Sequence, residues 1–253
     1  MILEFTVLFV VAFIAMMFAS LSGGGSLLTL PALMFFGLPP ATAVGTNRFG
    51  VLVQTFGRIP NLIGKLNIGL KIPAILIASH TIGGIIGAFV LISIANDELL
   101  FKILGLLLVF GAIVTYFSGK GMQAKSKNEI PHGKIAISGF ALFFIGIYRG
   151  FFGPAAGIFD RLLSVHVIGL DFIQATALGN YYTFFSSVAA FIIFFYAGII
   201  DFWFALPVAL GGLIGAYIGT KYLIEKGNEF MKMGFVVLEM LFGLYFIFFG
   251  VNA

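Results

Sequence analysis

Residues 72–95 read IPAILIASHTIGGIIGAFVLISIA. No Asp, Glu, Lys or Arg interrupts them, and as a helix they would extend about 36 Å, more than the roughly 30 Å of a bilayer's hydrocarbon core. A run this long and apolar reads as a membrane span. Working outward, comparable runs lie at about Phe5 to Leu21, Ala43 to Ile63, Leu99 to Phe117, Ile135 to Ile147, Phe172 to Ala197, Phe202 to Leu223 and Phe230 to Val251. With the first, they make eight expected helices. Ser26 to Phe36 and Ala156 to Ile168 are apolar but too short to cross comfortably, and are expected to be half-helices or broken segments.

The whole chain shares this character. Hydrophobic residues are 60% of it and charged residues 9%, against roughly 45–50% and about 25% in a soluble domain. This excludes an ordinary water-soluble enzyme or nucleic-acid binder, and membrane lipid is the expected surrounding partner. Cysteine is absent, which removes disulfides, thiolate metal sites and a cysteine nucleophile. The first run follows an acidic Glu4 rather than a basic segment, so it is read as a retained helix, not a signal peptide.

The opening stretch also occurs twice in modified form. Gly83-Gly84-Ile85-Ile86-Gly87-Ala88 is answered by Gly211-Gly212-Leu213-Ile214-Gly215-Ala216, and Ala41-Thr42-Ala43-Val44-Gly45-Thr46-Asn47 by Ala175-Thr176-Ala177-Leu178-Gly179-Asn180. Both offsets are about 130 residues and the order is kept, the mark of an internal repeat. The expected fold is an all-α polytopic membrane protein of two five-segment repeats, residues 1–118 and 134–253, joined by a polar linker at 119–133. Five is odd, so the repeats should be inverted, with the broken helices near the midplane. This assignment gathers Lys65, Lys71, Lys120, Lys125, Lys127, Lys134, Lys221, Lys226 and Lys232 at one surface and Asp97, Glu98 and Asp201 at the other, with Lys102 out of place. The positive-inside rule makes the lysine surface and its long loop cytoplasmic in a plasma membrane, with both termini outside.

Function is sought at the two breaks, Ser22-Gly23-Gly24-Gly25-Ser26 and Tyr148-Arg149-Gly150-Phe151-Phe152-Gly153-Pro154-Ala155-Ala156-Gly157. A broken helix exposes backbone N–H groups at its positive end, an anion cradle that needs a polar cavity inside a membrane. Gly24, Gly25, Ser26 and Ala155 are the candidate cradle, with Thr46, Asn47, Asn180 and Tyr181 at the repeated helix starts beside it. Arg48 is the expected principal anion contact, since guanidinium grips an oxyanion with paired hydrogen bonds and keeps its charge. Arg149 is the second cation, or else a partner of Asp160. Arg58 and Arg161 lie nearer helix ends, where snorkelling to lipid headgroups is the favoured reading. The Gly83 and Gly211 clusters sit inside long helices and are read as close-packing contacts. His80, His166 and Glu239 are candidates to carry a coupled proton, although a structural hydrogen bond is the more ordinary role. No metal-ligand spacing, phosphate loop or nucleophile elbow occurs, so neither a metal, a cofactor nor an enzyme is expected.

These blocks resemble the TauE/SafE sulfite exporter family, also described as the toluene-sulfonate uptake permeases. The likeness is carried by Gly23-Gly24-Gly25-Ser26-Leu27-Leu28-Thr29-Leu30-Pro31-Ala32-Leu33, by Gly37-Leu38-Pro39-Pro40-Ala41 with Gly45-Thr46-Asn47-Arg48, and by Gly150-Phe151-Phe152-Gly153-Pro154-Ala155-Ala156-Gly157. The resemblance implies a plasma-membrane secondary transporter moving a small sulfur-containing anion, sulfite or an organosulfonate, by alternating access. Members often carry an acid before the first glycine run and another between Tyr and Gly at the second. This chain has none in the first place and Arg149 in the second, which would make the cavity more attractive to anions and alter any coupling through those acids. A passive anion channel and, less favoured, an intramembrane enzyme are the alternatives.

Overall fold

The computed structural model describes residues 2–22, 25–66, 71–94, 96–117 and 132–226. Gly24, linker residues 118–131, the expected helix at 230–251 and Glu239 lie outside the described residues. Those that are described form helices and connecting turns with no strand, a polytopic all-α membrane protein. In order they are α1 (Ile2–Ser22), α2 (Ser26–Phe35), α3 (Pro40–Leu62), α4 (Lys71–Ser93), α5 (Asp97–Phe117), α6 (His132–Phe151), α7 (Ala156–Leu163), α8 (Phe172–Tyr196) and α9 (Phe202–Lys226). A wider π turn, Ser164–Ile168, prolongs α7. Among the described residues five stretches are long and apolar enough to cross a membrane: Ile2–Ser20, Lys71–Ser93, Gly133–Phe151, Phe172–Tyr196 and Phe202–Glu225. At 23 residues α3 also has the length, but it buries Thr46, Asn47, Arg48, Gln54 and Thr55 along its course, and that polar face lowers its hydropathy. Phe89, Phe140, Phe144 and Leu206 face outward, as lipid contact requires.

Local chemistry sets the element ends. Gly37 stops α2 in the left-handed region (φ +88°), its N–H and that of Leu38 returning to the carbonyls of Met34 and Leu33. Pro39 and Pro40 then start α3, with proline in the first turn where a missing N–H costs nothing. Gly169 (φ +92°) closes the π turn, and the Asp171 carboxylate accepts the Gln174 N–H at 2.8 Å to cap α8.

Glycines set the long-range packing. A Cβ on Gly211, Gly215 or Gly219 would land on the carbonyl oxygen of Phe9, Phe13 or Met17, so α1 runs parallel to α9 with the backbones almost touching. Gly83 and Gly87 meet Phe143 and Ile147 in the same way, and Gly146 and Gly150 meet His80 and Gly84, so α6 runs parallel to α4. Such small-residue seams supply dispersion contact where the hydrophobic effect is weak. Gly50 against Val208 and Gly57 against Leu213 place α3 parallel to α9. His80 against Tyr182 and Gly84 against Ser186 place α4 parallel to α8. By contrast α3 and α8 run antiparallel, Phe49 meeting Phe191 at 5.5 Å and Phe56 meeting Phe184 at 5.6 Å between ring centroids.

Thus α1, α3 and α9 point one way, and α4, α6 and α8 the other. Since α1 and α3 share a direction, α2 between them must turn back, and α7 must do the same between α6 and α8. At 10 and 8 residues neither can cross, at about 1.5 Å of rise per residue. Their starts meet inside the bundle at Gly111 of α5, where a Cβ would touch Leu27 and Ala155, each at 3.1 Å. The same directions put Lys65, Lys71, Lys134 and Lys221 at one end, and Glu4, Asp97, Glu98 and Asp201 at the other. Lys102, the exception, is neutralised by Glu98 one turn earlier at 2.6 Å.

Candidate functional site

At the second break the chain reverses in a few residues. Gly153 (φ +92°) and Ala155 (φ +60°) both take the left-handed conformation, which for a non-glycine residue costs roughly 1–2 kcal/mol. Tyr148 stabilises the turn, its hydroxyl donating to the Pro154 carbonyl at 2.7 Å. Beside it Arg149 forms an ion pair with Asp160 of α7, tying the end of α6 to the returning half-helix. Both residues are buried, so removal of either partner would leave an uncompensated charge.

The two breaks and the repeated helices α3 and α8 enclose a cavity. Its walls are Met16 of α1, Gly25 and Ser26 at the start of α2, Val51, Gln54 and Arg58 of α3, Arg149 and Gly153 at the second break, Gly157 and Arg161 of α7, and Thr176, Gly179, Asn180 and Thr183 of α8. Three guanidinium groups line it with hydroxyls and amides, and no carboxylate is among the described lining residues. Asp160 offsets Arg149 from behind. Arg58 is held by Gln54, to whose Oε1 it donates at 3.3 Å. Arg161 donates to the Ala19 carbonyl at 3.0 Å and rests over the Phe172 ring at 5.5 Å. The cavity leaves about 40 Å³ for the centres of water-sized molecules, where a single water needs roughly 10–15 Å³.

Of the residues expected from sequence, Gly25, Ser26, Arg149 and Asn180 line the cavity. Asn180 donates to the Thr55 carbonyl at 3.3 Å, while its Oδ1 has no hydrogen-bond partner. Thr46, Asn47, Arg48, Ala155 and Tyr181 are not among the lining residues. Thr46 Oγ1 accepts the Asp201 N–H at 3.0 Å, and Asn47 Oδ1 accepts the Thr29 hydroxyl at 2.7 Å. Both tie α3 to its neighbours. Arg48 lies behind the cavity, donating to the backbone carbonyl of Arg149 and filling the space beside Gly153. It thereby satisfies a carbonyl at the negative end of α6. Ala155 is buried against Gly111, and Tyr181 faces outward beside a second, apolar groove between α3 and α8.

Arg58 and Arg161, assigned from sequence to lipid headgroups, face the cavity. Gln54, Thr176 and Thr183 join them. The available signal was helical spacing: Val51, Gln54 and Arg58 fall at i, i+3, i+7 on α3, and Thr176, Asn180 and Thr183 at i, i+4, i+7 on α8. Each trio is a stripe on one face. Among the described residues no group of three or more His, Cys, Asp or Glu is placed to hold a metal.

Comparison with known proteins agrees with this architecture. The family model described as sulfite exporter TauE/SafE matches residues 8–246. A probable membrane transporter protein, ORF9, of Sinorhizobium sp. is 31% identical over 236 residues, 92% of this chain and 88% of its own length. The probable membrane transporter protein YfcA of Escherichia coli K12 is 30% identical over 92% of this chain and 86% of its own, and a probable membrane transporter protein of Haemophilus influenzae is 29% identical over 93% and 91%. No solved structure matches.

Proposed function

We propose, from the premise that this chain belongs to the TauE/SafE sulfite exporter family and is a membrane transporter, that it carries a small sulfur-containing oxyanion across the plasma membrane by alternating access. The observation that carries this reading is the small cavity lined by Arg58, Arg149 and Arg161 with no carboxylate among its described lining residues. Fixed cations in a low-dielectric site attract an anion far more strongly than they would in water. Guanidinium groups, the Gln54 and Asn180 side-chain amides, and the first N–H groups of α2 offer the directed donors a pyramidal or tetrahedral oxyanion needs, while the Thr176 and Thr183 hydroxyls donate to the Phe172 and Gly179 carbonyls. The small cavity suits a compact oxyanion such as sulfite. Arg48 acts as a positioning residue, fixing the end of α6 from which Arg149 projects.

Opposed directions of the repeat-related pairs α1 and α6, α3 and α8, α4 and α9 support an inverted repeat, the arrangement in which one half can rock against the other about a central site. With the lysine end cytoplasmic, Arg58, one turn from the end of α3, and Thr176, one turn from the start of α8, are the lining residues nearest the cytoplasm. A proton is the proposed coupled cargo.

The test is sulfite flux into proteoliposomes of the full chain. Saturable uptake with accelerated exchange against internal sulfite is expected, because a loaded carrier reorients faster than an empty one, whereas a channel shows no such counterflow. Arg58→Gln removes a charge-assisted contact and should weaken apparent affinity about tenfold to a hundredfold, from roughly 1.5–3 kcal/mol per such bond. Folded protein with no flux of any sulfur anion would sink the proposal.

A further inference from the structure

Behind Arg149 lies a second cluster that anion contact alone does not require. Asp160 presents one carboxylate oxygen to Arg149 and the other, Oδ1, to Nε2 of His80 on α4 at 3.4 Å. The imidazole lies flat on the Tyr182 ring of α8, centroids 5.2 Å apart and planes inclined by 15°. His80 and Asp160 are wholly buried. Neither ring nitrogen of His80 has an aligned hydrogen-bond partner, and neither does Asp160 Oδ1.

We propose that His80 and Asp160 form the proton site of this transporter and pass its occupancy to the anion site through Arg149; the inference rests on the anion-carrier reading above. With His80 neutral, Asp160 is committed to Arg149 and the three side chains carry no net charge. A proton taken by the imidazole turns Nε2–H toward Oδ1, giving a second cationic claimant on one carboxylate. Asp160 then offsets Arg149 less, and the cavity gains one positive charge, which a bound monoanion neutralises. The proton and the anion therefore favour each other's binding, and by linkage each does so to the same degree. One proton with one monoanion moves no net charge.

No other described carboxylate competes for this role. From α6, the charged or titratable neighbours are Arg149 and Tyr148, the latter bonded to the Pro154 carbonyl. Arg48 reaches in from α3 to the Arg149 carbonyl, and Arg161 is directed at Ala19. Tyr182 of α8 covers the ring, and Ser164 of the π turn lies beside the Tyr182 hydroxyl. His166 points away, its ring nitrogen at the Leu162 carbonyl.

The measurement is sulfite accumulation by the full chain in proteoliposomes under a one-unit pH gradient, with protein-free liposomes subtracted because sulfite itself titrates near neutral pH. One-to-one coupling predicts about tenfold accumulation, the concentration ratio equivalent to one pH unit. His80→Gln, and His80→Asn in case the first does not fold, should bring accumulation to about onefold, with residual flux indifferent to the gradient. Proton uptake by wild-type protein on adding non-titrating methanesulfonate, followed with an indicator dye, should approach one per anion bound. Wild-type flux that ignores the gradient, or coupling that survives in either variant, overturns the proton site and leaves the anion carrier intact. A wild type that transports no sulfur anion overturns the carrier reading itself.

Discussion

Gly153 and Arg48 occupy adjoining space so closely that a side chain at Gly153 would displace the guanidinium. A Cβ on Gly153 would lie 2.7 Å from Nη2 and 3.1 Å from Nη1 of Arg48, at a φ of +92° that side chains rarely adopt. Gly153→Ala is therefore expected to push the guanidinium off the Arg149 carbonyl and to cost about 1–3 kcal/mol in backbone strain alone. A lowered thermal midpoint together with weakened sulfite binding checks this, and a fully stable variant would rule it out. Sequence showed that Arg48 is a charged residue inside a membrane, which demands a purpose, but not which acceptor it meets. That acceptor lies 101 positions away in the chain, so helical spacing alone does not bring the two together. Arg58 faces the cavity rather than the expected lipid headgroups. Its nearness to a helix end was legible, whereas the half-helix that walls off the lipid is a tertiary feature.

Among the elements, the half-helices were legible from length and from the glycine breaks that begin them. Their return direction follows only from the parallel course of their neighbours. The glycine clusters were correctly read as packing seams, and they make a sharp expectation. Gly87→Leu and Gly215→Leu should each wedge a seam where the backbone of the facing helix leaves no room for a side chain. Overpacking of this kind costs about 1–3 kcal/mol when neighbours can yield, and main-chain carbonyls yield poorly. Reduced yield of monodisperse protein in detergent is the expected readout for both. Gly179, where a methyl group would meet nothing within 4 Å, is the control: Gly179→Ala should leave yield unchanged.

At the scale of the molecule, the helix directions divide the charges as the sequence suggested, and the missing cysteines make the proposed orientation easy to probe. Single cysteines at Lys71 and Asp201, the start of α4 and the turn before α9, should react with a membrane-impermeant thiol reagent from opposite faces, Lys71→Cys only from the cytoplasm. Labelling of both from one face would undo the topology. The motifs from which two halves are proposed do not tell how such halves would meet. In the fold, α1 lies along α9 and α6 along α4, so residues 1–118 and 134–253 would interlock. This has a consequence for how the protein is made. The ribosome delivers α1 some two hundred residues before the helix it rests on, so its glycine-facing carbonyl ridge must wait in the lipid, or with an insertion factor, until synthesis is nearly finished. The two halves expressed from separate messages should accordingly rescue one another, while either alone is left for the cell's membrane proteases.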